Sequence, residues 1–164
     1  MAALSSGQFQ HLQVELAKPR MFGKADIGEQ GLVRGWAVPE DGHTWNDGLE
    51  AVLSLEAPHQ PLNAVTLAVD GIPYVFGEAQ RQELTLYANG SYVGFWRFTQ
   101  RQLVVIEARI ESEQWVIRRG LAYLTLTWLM PGSSRPKEIG DGSDNRMLGF
   151  AFRSLCITNQ KDNG

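Results

Sequence analysis

Apolar and polar residues alternate along much of this chain, and the alternation is clearest over residues 82–98. That stretch reads Gln-Glu-Leu-Thr-Leu-Tyr-Ala-Asn-Gly-Ser-Tyr-Val-Gly-Phe-Trp-Arg-Phe. Two β-prone runs flank Asn89-Gly90, a pair that suits a type I′ hairpin turn because both central residues need φ > 0. With unbroken pairing, Leu84 lies opposite Phe95 and Leu86 opposite Val93 on one face. Tyr87, Tyr92 and Trp96 then share the other face. A slip of one residue in register would instead send Trp96 to the core.

The same period of two runs through 64–69 and through 121–130, where Leu124, Leu126 and Trp128 alternate with Thr125, Thr127 and Leu129. Further strands are expected at 9–16, 31–38, 49–55, 72–76, 102–110 and 146–158. Asp70-Gly71 reads as a turn between two of these, and Pro73 marks the strand after it as an edge or bulged one. Residues 112–119 fit either a strand or a short helix. Residues 21–30 read as irregular, and 39–48, 57–61 and 131–146 as loops rich in turn formers. In the closing strand, Leu148, Phe150, Phe152 and Leu155 are expected in the core, with a bulge after 152 where the alternation breaks. No segment holds a helical period for more than about two turns. The pattern predicts an all-β protein, an antiparallel β-sandwich or jelly roll, as a single domain over 1–164 with loose ends near 1–7 and 159–164.

Composition narrows the partners. At 164 residues, 43% of them hydrophobic, the chain is long enough for a full core. The net charge is −3 and no basic run stands out, which argues against nucleic acid as a partner. The single cysteine, Cys156, leaves no intrachain disulfide, and its apolar surroundings read as packing rather than catalysis. The N-terminus has no charged and apolar regions of the secretory kind, and no apolar run approaches the roughly 20 residues of a membrane span. A cytoplasmic protein is the expectation.

Three constellations are candidates for chemistry. The loop Glu40-Asp41-Gly42-His43-Thr44-Trp45-Asn46-Asp47-Gly48 holds a ring and acids in the combination that contacts sugars. Trp45 would stack on a pyranose while Glu40 and Asp47 accept hydroxyl hydrogen bonds. The competing reading is a structured turn with Trp45 plugging the end of the sandwich. The second, Gly140-Asp141-Gly142-Ser143-Asp144-Asn145-Arg146, carries oxygen ligands for Ca²⁺. Its match to a calcium loop fails at Phe152, where a further acid is needed, so Asp141 and Asp144 are expected to order the loop, with Asp144 pairing Arg146. The third is the aromatic face Tyr87, Tyr92 and Trp96, suited to sugar C–H groups, to a second layer of core, or to a subunit interface that would make a homo-oligomer.

Catalysis finds little support. His11, His43 and His59 lack metal-ligand spacing, and no nucleophile elbow, Walker loop or dinucleotide fingerprint occurs. Paired carboxylates in the acidic loops leave a glycoside-acting enzyme as the weakest of the readings. No cofactor is expected.

Three blocks resemble a β-sandwich module that accompanies bacterial glycosyltransferases and polysaccharide-assembly proteins. They are Gly35-Trp36 through Trp45-Asn46-Asp47-Gly48; Asn89-Gly90-Ser91-Tyr92-Val93-Gly94-Phe95-Trp96; and Pro136 through Leu155, with Asp144, Arg146, Leu148, Gly149 and Ser154 at matching spacing. Ile139 and Phe152 replace leucines of the pattern, and one additional glycine lengthens the acidic turn. The resemblance spans 35–155. It implies a non-enzymatic accessory of polysaccharide biosynthesis, with carbohydrate or a glycosyltransferase-type protein as partner. A module that only binds protein or self-associates is the alternative.

Overall fold

The computed structural model describes residues 11–77 and 81–160. They form two β-sheets packed face to face, as the alternation predicted. The strands are β1 (Leu12–Gln13), β2 (Arg20–Met21), β3 (Leu32–Arg34), β4 (Thr44–Trp45), β5 (Glu50–Ala57), β6 (Val65–Pro73), β7 (Gln82–Ala88), β8 (Ser91–Phe98), β9 (Val104–Ile110), β10 (Val116–Arg118), β11 (Leu121–Leu129) and β12 (Phe150–Asn159). A single helical turn, α1 (Pro136–Ile139), interrupts the long loop before β12.

The seven-stranded sheet runs β1-β5-β11-β7-β8, with β3 also on β5 and β10 also on β11. The five-stranded sheet runs β2-β12-β6-β9, with β4 also on β12. Pairing is antiparallel except for β1 on β5, which is parallel with Leu12 opposite Leu55. Leu84, Leu86, Leu124, Leu126 and Trp128 from one sheet meet Leu67, Val69, Ile106, Phe150, Phe152 and Leu155 from the other, all buried. Their apolar area leaves water together, and that burial is the main force holding the sheets.

Phe152 sits where the two layers meet. Its ring centroid lies 4.9 Å from Trp36, 5.4 Å from Trp128, 5.5 Å from Phe22 and 4.8 Å from Phe150. The expected bulge in the closing strand falls between Phe152 and Ser154. It leaves Arg153 as the extra residue, and Leu155 returns to the core.

Four expectations need correction. Asp70-Gly71 is not a turn, because β6 runs straight through to Pro73. Gly71 is there because the Phe150 ring and the Ala151 carbonyl each approach to 2.3 Å of where a Cβ would stand. The strand expected at 31–38 stops at Arg34, because Gly35 takes φ +81° and brings its backbone hard against the Glu50 carbonyl. The loop 39–48 is not free of strand, since β4 lies within it and pairs with β12. The N-terminal strand expected at 9–16 is only Leu12–Gln13, and Phe9 lies outside the described residues.

A further correction concerns the central hairpin. Asn89 (φ +46°) and Gly90 (φ +83°) make the expected two-residue turn. However, a bulge at Val93 then shifts the register, so Leu86 faces Gly94 and Leu84 faces Trp96 rather than Phe95. The shift has a physical cause. Trp96 folds its indole over Gly94, where a Cβ would lie 2.7 Å from the ring, and packs against the core. Burying an indole gains more than burying the extra Phe edge, and only a glycine two residues before it leaves the room. Trp96 is therefore an inward residue, and Phe95 takes its place outside.

Candidate functional site

The residues singled out in the sequence separate onto the two outer surfaces of the sandwich. Glu40, Trp45, Asp47, Asp141, Asp144 and Arg146 gather where residues 35–48 and 131–149 meet over the five-stranded sheet. Tyr87 and Tyr92 lie on the outer face of the seven-stranded sheet, while Trp96 turns to the core.

At the first surface most polar side chains hold the loops together. Asn46, wholly buried, accepts hydrogen bonds from the Gly149 and Phe150 amides on Oδ1 at 2.7 and 2.9 Å. Its Nδ2 donates to the Gly48 carbonyl and to Ser133 Oγ. Asp47 accepts the Met147 amide at 2.9 Å. Asp144 accepts from the Arg146 amide and, through both oxygens, from its guanidinium, which also reaches Glu40 at 3.2 Å. His43 lies 3.4 Å from the same Glu40 oxygen. Asp141 takes a different partner, the Tyr74 hydroxyl, which donates to it at 2.8 Å. Neither this role of Tyr74 nor that of Asn46 is legible locally, since both depend on contacts across more than 60 residues.

The charges follow. The Arg146 guanidinium bonded to Asp144 holds that carboxyl below the ordinary aspartate value of 3.8, against the opposing effect of burial. In turn Asp144 raises Arg146 further. Burial first, and then the bond to Asp141, push Tyr74 up to about 12. Because the folded state lowers the Asp144 pKa, its stabilising contribution is complete above the unfolded value and is lost as pH falls through the folded one. The melting temperatures of the wild type and Asp144→Asn should therefore differ at pH 7 and converge below about pH 4. A difference that stays constant down to pH 2 would mean that the ionised Asp144 carboxyl is not its source.

Trp45 is only 9% exposed and stands edge-on to Tyr74, with centroids 6.1 Å apart. It forms a second apolar cluster with Ala37, Tyr74, Leu148 and Ala151 on the outside of the five-stranded sheet. Among the described residues, no group of three or more His, Cys, Asp or Glu side chains is placed to hold a metal ion.

The second surface is open. Period-two alternation aims Thr85 and Tyr87 of β7 outward, along with Tyr123, Thr125, Thr127 and Leu129 of β11 and Ser54 of β5. Through the Val93 bulge, β8 adds Tyr92 opposite Tyr87 and Phe95 opposite Thr85, exposed by 61% and 45%. The Tyr87 and Tyr92 rings are 6.1 Å apart at 77°, so they form a corner rather than the flat platform that straight pairing implied. About 13 Å along β11 from Thr127, the partner of Tyr87, stands Tyr123. Its ring packs on His11 at 4.7 Å, and His11 Nδ1 bonds Ser54 Oγ at 2.7 Å.

Beside Tyr123 a cavity of about 610 Å³ is lined by His11, Ser54, Asn89, Arg118, Arg119 and Thr125, among others. Asn89 fixes its edge. The side chain donates to the Gln114 and Tyr123 carbonyls and accepts the Thr125 amide, replacing ladder bonds where β7 turns away. Sequence reasoning missed Tyr123, Phe95 and His11. Tyr123 was readable, because it alternates with Thr125 and Thr127. Phe95 needed the bulge, and His11 needed the parallel pairing of β1.

No protein-family model matches the chain, and no curated protein sequence does. The resemblance to the glycosyltransferase-associated module thus rests on its three blocks of residues. Solved structures of similar shape include a family GH115 4-O-methyl-α-glucuronidase, with 8% identity, 89% of this chain covered and a TM-score of 0.47. This chain corresponds to only 17% of that enzyme's length. A family 35 carbohydrate-binding module from an environmental isolate overlaps 85% of this chain and 93% of its own, at 12% identity and a TM-score of 0.46. The module Xyl-CBM35, in complex with a glucuronic acid-containing disaccharide, overlaps 87% and 86% at 16% identity and a TM-score of 0.33. At such scores the overlap is loose.

Proposed function

We propose that this protein binds carbohydrate on the outer face of its seven-stranded sheet, without catalysing a reaction there. The observation that carries the reading is the uncovered face itself. Tyr123, Tyr87, Tyr92 and Phe95 are interleaved with hydroxyls of Thr85, Thr125 and Thr127, beside an open polar cavity. Saccharides present both C–H faces and hydroxyls, so a surface mixing rings with short hydroxyl side chains satisfies both without burying an unpaired polar group. The corner between Tyr87 and Tyr92 suits one sugar ring held on two sides. The spacing to Tyr123, measured along β11, suits a soluble oligosaccharide lying along the strands, not a flat crystalline surface.

The setting proposed is a cytoplasmic accessory of bacterial polysaccharide assembly beside a glycosyltransferase-type partner, supported by the three motif blocks. In this reading the acidic residues of the other surface order their loops, and Tyr87 and Tyr92 contact the ligand. The second reading is self-association through the same face, which the exposure of Tyr92 and Phe95 favours. A glycan-array screen combined with light scattering tests both. Wild type should bind a defined set of glycans, and Tyr92→Ala should lose at least about tenfold in affinity at unchanged mass. A wild-type dimer that becomes a monomer in Tyr92→Ala, with no glycan bound by either, would replace carbohydrate binding by self-association.

A further inference from the structure

The outside of the five-stranded sheet carries a second concavity, of about 460 Å³, unconnected with the reading above. Its floor is a cross-strand row, Trp45 of β4, Ala151 of β12 and Ile72 of β6. A small side chain between two large ones makes the dent. Asp41, Gly42 and His43 form one rim, and Arg101 and Arg153 complete the lining.

Arg153 is at this place because of the bulge in β12. The extra residue it represents leaves both Arg153 and Ser154 on the outer face, a device that re-aims side chains. Ser154 is engaged by Asp70 at 2.5 Å. Arg153, by contrast, has no acidic partner within ion-pair distance among the described residues. Arg101 is held only loosely. Its guanidinium lies over the Tyr74 ring at 5.3 Å and reaches Asp141 at 3.6 Å, whereas Tyr74 makes the shorter bond to that carboxylate. Two guanidinium groups thus line a dent whose own lining contains one carboxylate, Asp41. Guanidinium forks match planar or tetrahedral oxyanions, and the Trp45–Ile72 floor matches an apolar or C–H face. The volume is that of a small-ligand site and far exceeds a bare anion.

We propose that this concavity is a second binding site, for a hexose-sized ring bearing one anionic group, with Arg153 and Arg101 taking the oxyanion and the ring lying on Trp45 and Ile72. The anion is a carboxylate or a phosphate, both of which the arginines can grip. Titration calorimetry on the full chain separates these sources, using D-glucuronate, glucose 6-phosphate, D-glucose, acetate and inorganic phosphate at constant ionic strength. At least one anionic sugar should bind at least about tenfold more tightly than glucose and than its own bare anion, and raising the salt should weaken it. Arg153→Gln should lower that affinity about tenfold or more, as should Arg101→Gln, with circular dichroism unchanged. Tyr92→Ala, on the opposite sheet, should leave it unaltered, which keeps this test apart from that of the first site. The proposal is overturned if neither anionic sugar binds, if glucose or the bare anions bind equally well, or if both folded arginine variants retain wild-type affinity. It is also overturned if Tyr92→Ala alone removes binding.

Discussion

Phe152→Ala is expected to cost about 3–5 kcal/mol of folding free energy, because a wholly buried ring leaves a cavity that its neighbours fill only in part. Phe22 comes from the segment after β2, Trp36 from the segment after β3, Trp128 from β11 and Phe150 from β12 itself. These neighbours belong to both sheets and to the segments that close the sandwich, so they cannot collapse onto the space as one unit. Urea unfolding followed by tryptophan fluorescence reads the effect as a shift in midpoint. A loss below about 1 kcal/mol would place Phe152 away from the centre of the core.

Asn46→Leu should be nearly as damaging, although the two side chains are of similar size and leucine is the more apolar. The Oδ1 atom of Asn46 is a hydrogen-bond partner of the Gly149 and Phe150 amides, and its Nδ2 serves the Gly48 carbonyl and Ser133. Removing it leaves two amides without that acceptor in a region closed to water, at roughly 1–3 kcal/mol each, so about 2–6 kcal/mol in all. Hydrogen exchange adds a local signature, since the Gly149 and Phe150 amides should lose protection before the rest of β12 does. Equal stability of wild type and variant would mean that these amides find other acceptors.

The contrast between these residues shows what the sequence could convey. Phe152 was legible as core because period-two alternation is a local property, and so were the outward Thr125, Thr127, Tyr87 and Tyr92. Asn46 was not, because nothing in Trp45-Asn46-Asp47 says that an amide a hundred positions later needs an acceptor. The blocks that resemble the glycosyltransferase-associated module acquire a structural meaning here. Asn46, Asp47, Glu40, Asp144 and Arg146 clasp the loop before β12 to the loop before β5. Residues in motif positions therefore serve the closure of the fold, while the candidate carbohydrate face uses mostly residues outside those blocks.

Where the reading of the hairpin went astray, the cause was a conflict between local and tertiary terms. Asn89-Gly90 set the turn correctly, but the turn does not set the register beyond the first two pairs. The gain from burying Trp96 over Gly94 was larger than the cost of one bulge, and that gain exists only because the other sheet is present. The same holds for Gly71, whose neighbour in sequence suggests a turn and whose neighbour in space is the Phe150 ring. His11 reaches the open face through a two-residue parallel pairing of β1 with β5, too short to leave a periodic trace.

The central claim, that the outer face of the seven-stranded sheet binds saccharide, is tested most directly by amide chemical-shift mapping. The isotope-labelled protein is titrated with an oligosaccharide selected on the array. The largest shifts should fall on Tyr87, Tyr92, Tyr123, Thr125 and Asn89, with saturation at one site and with Phe152 and Leu155 undisturbed. Shifts confined to the five-stranded sheet, or none at saturating oligosaccharide, would contradict it.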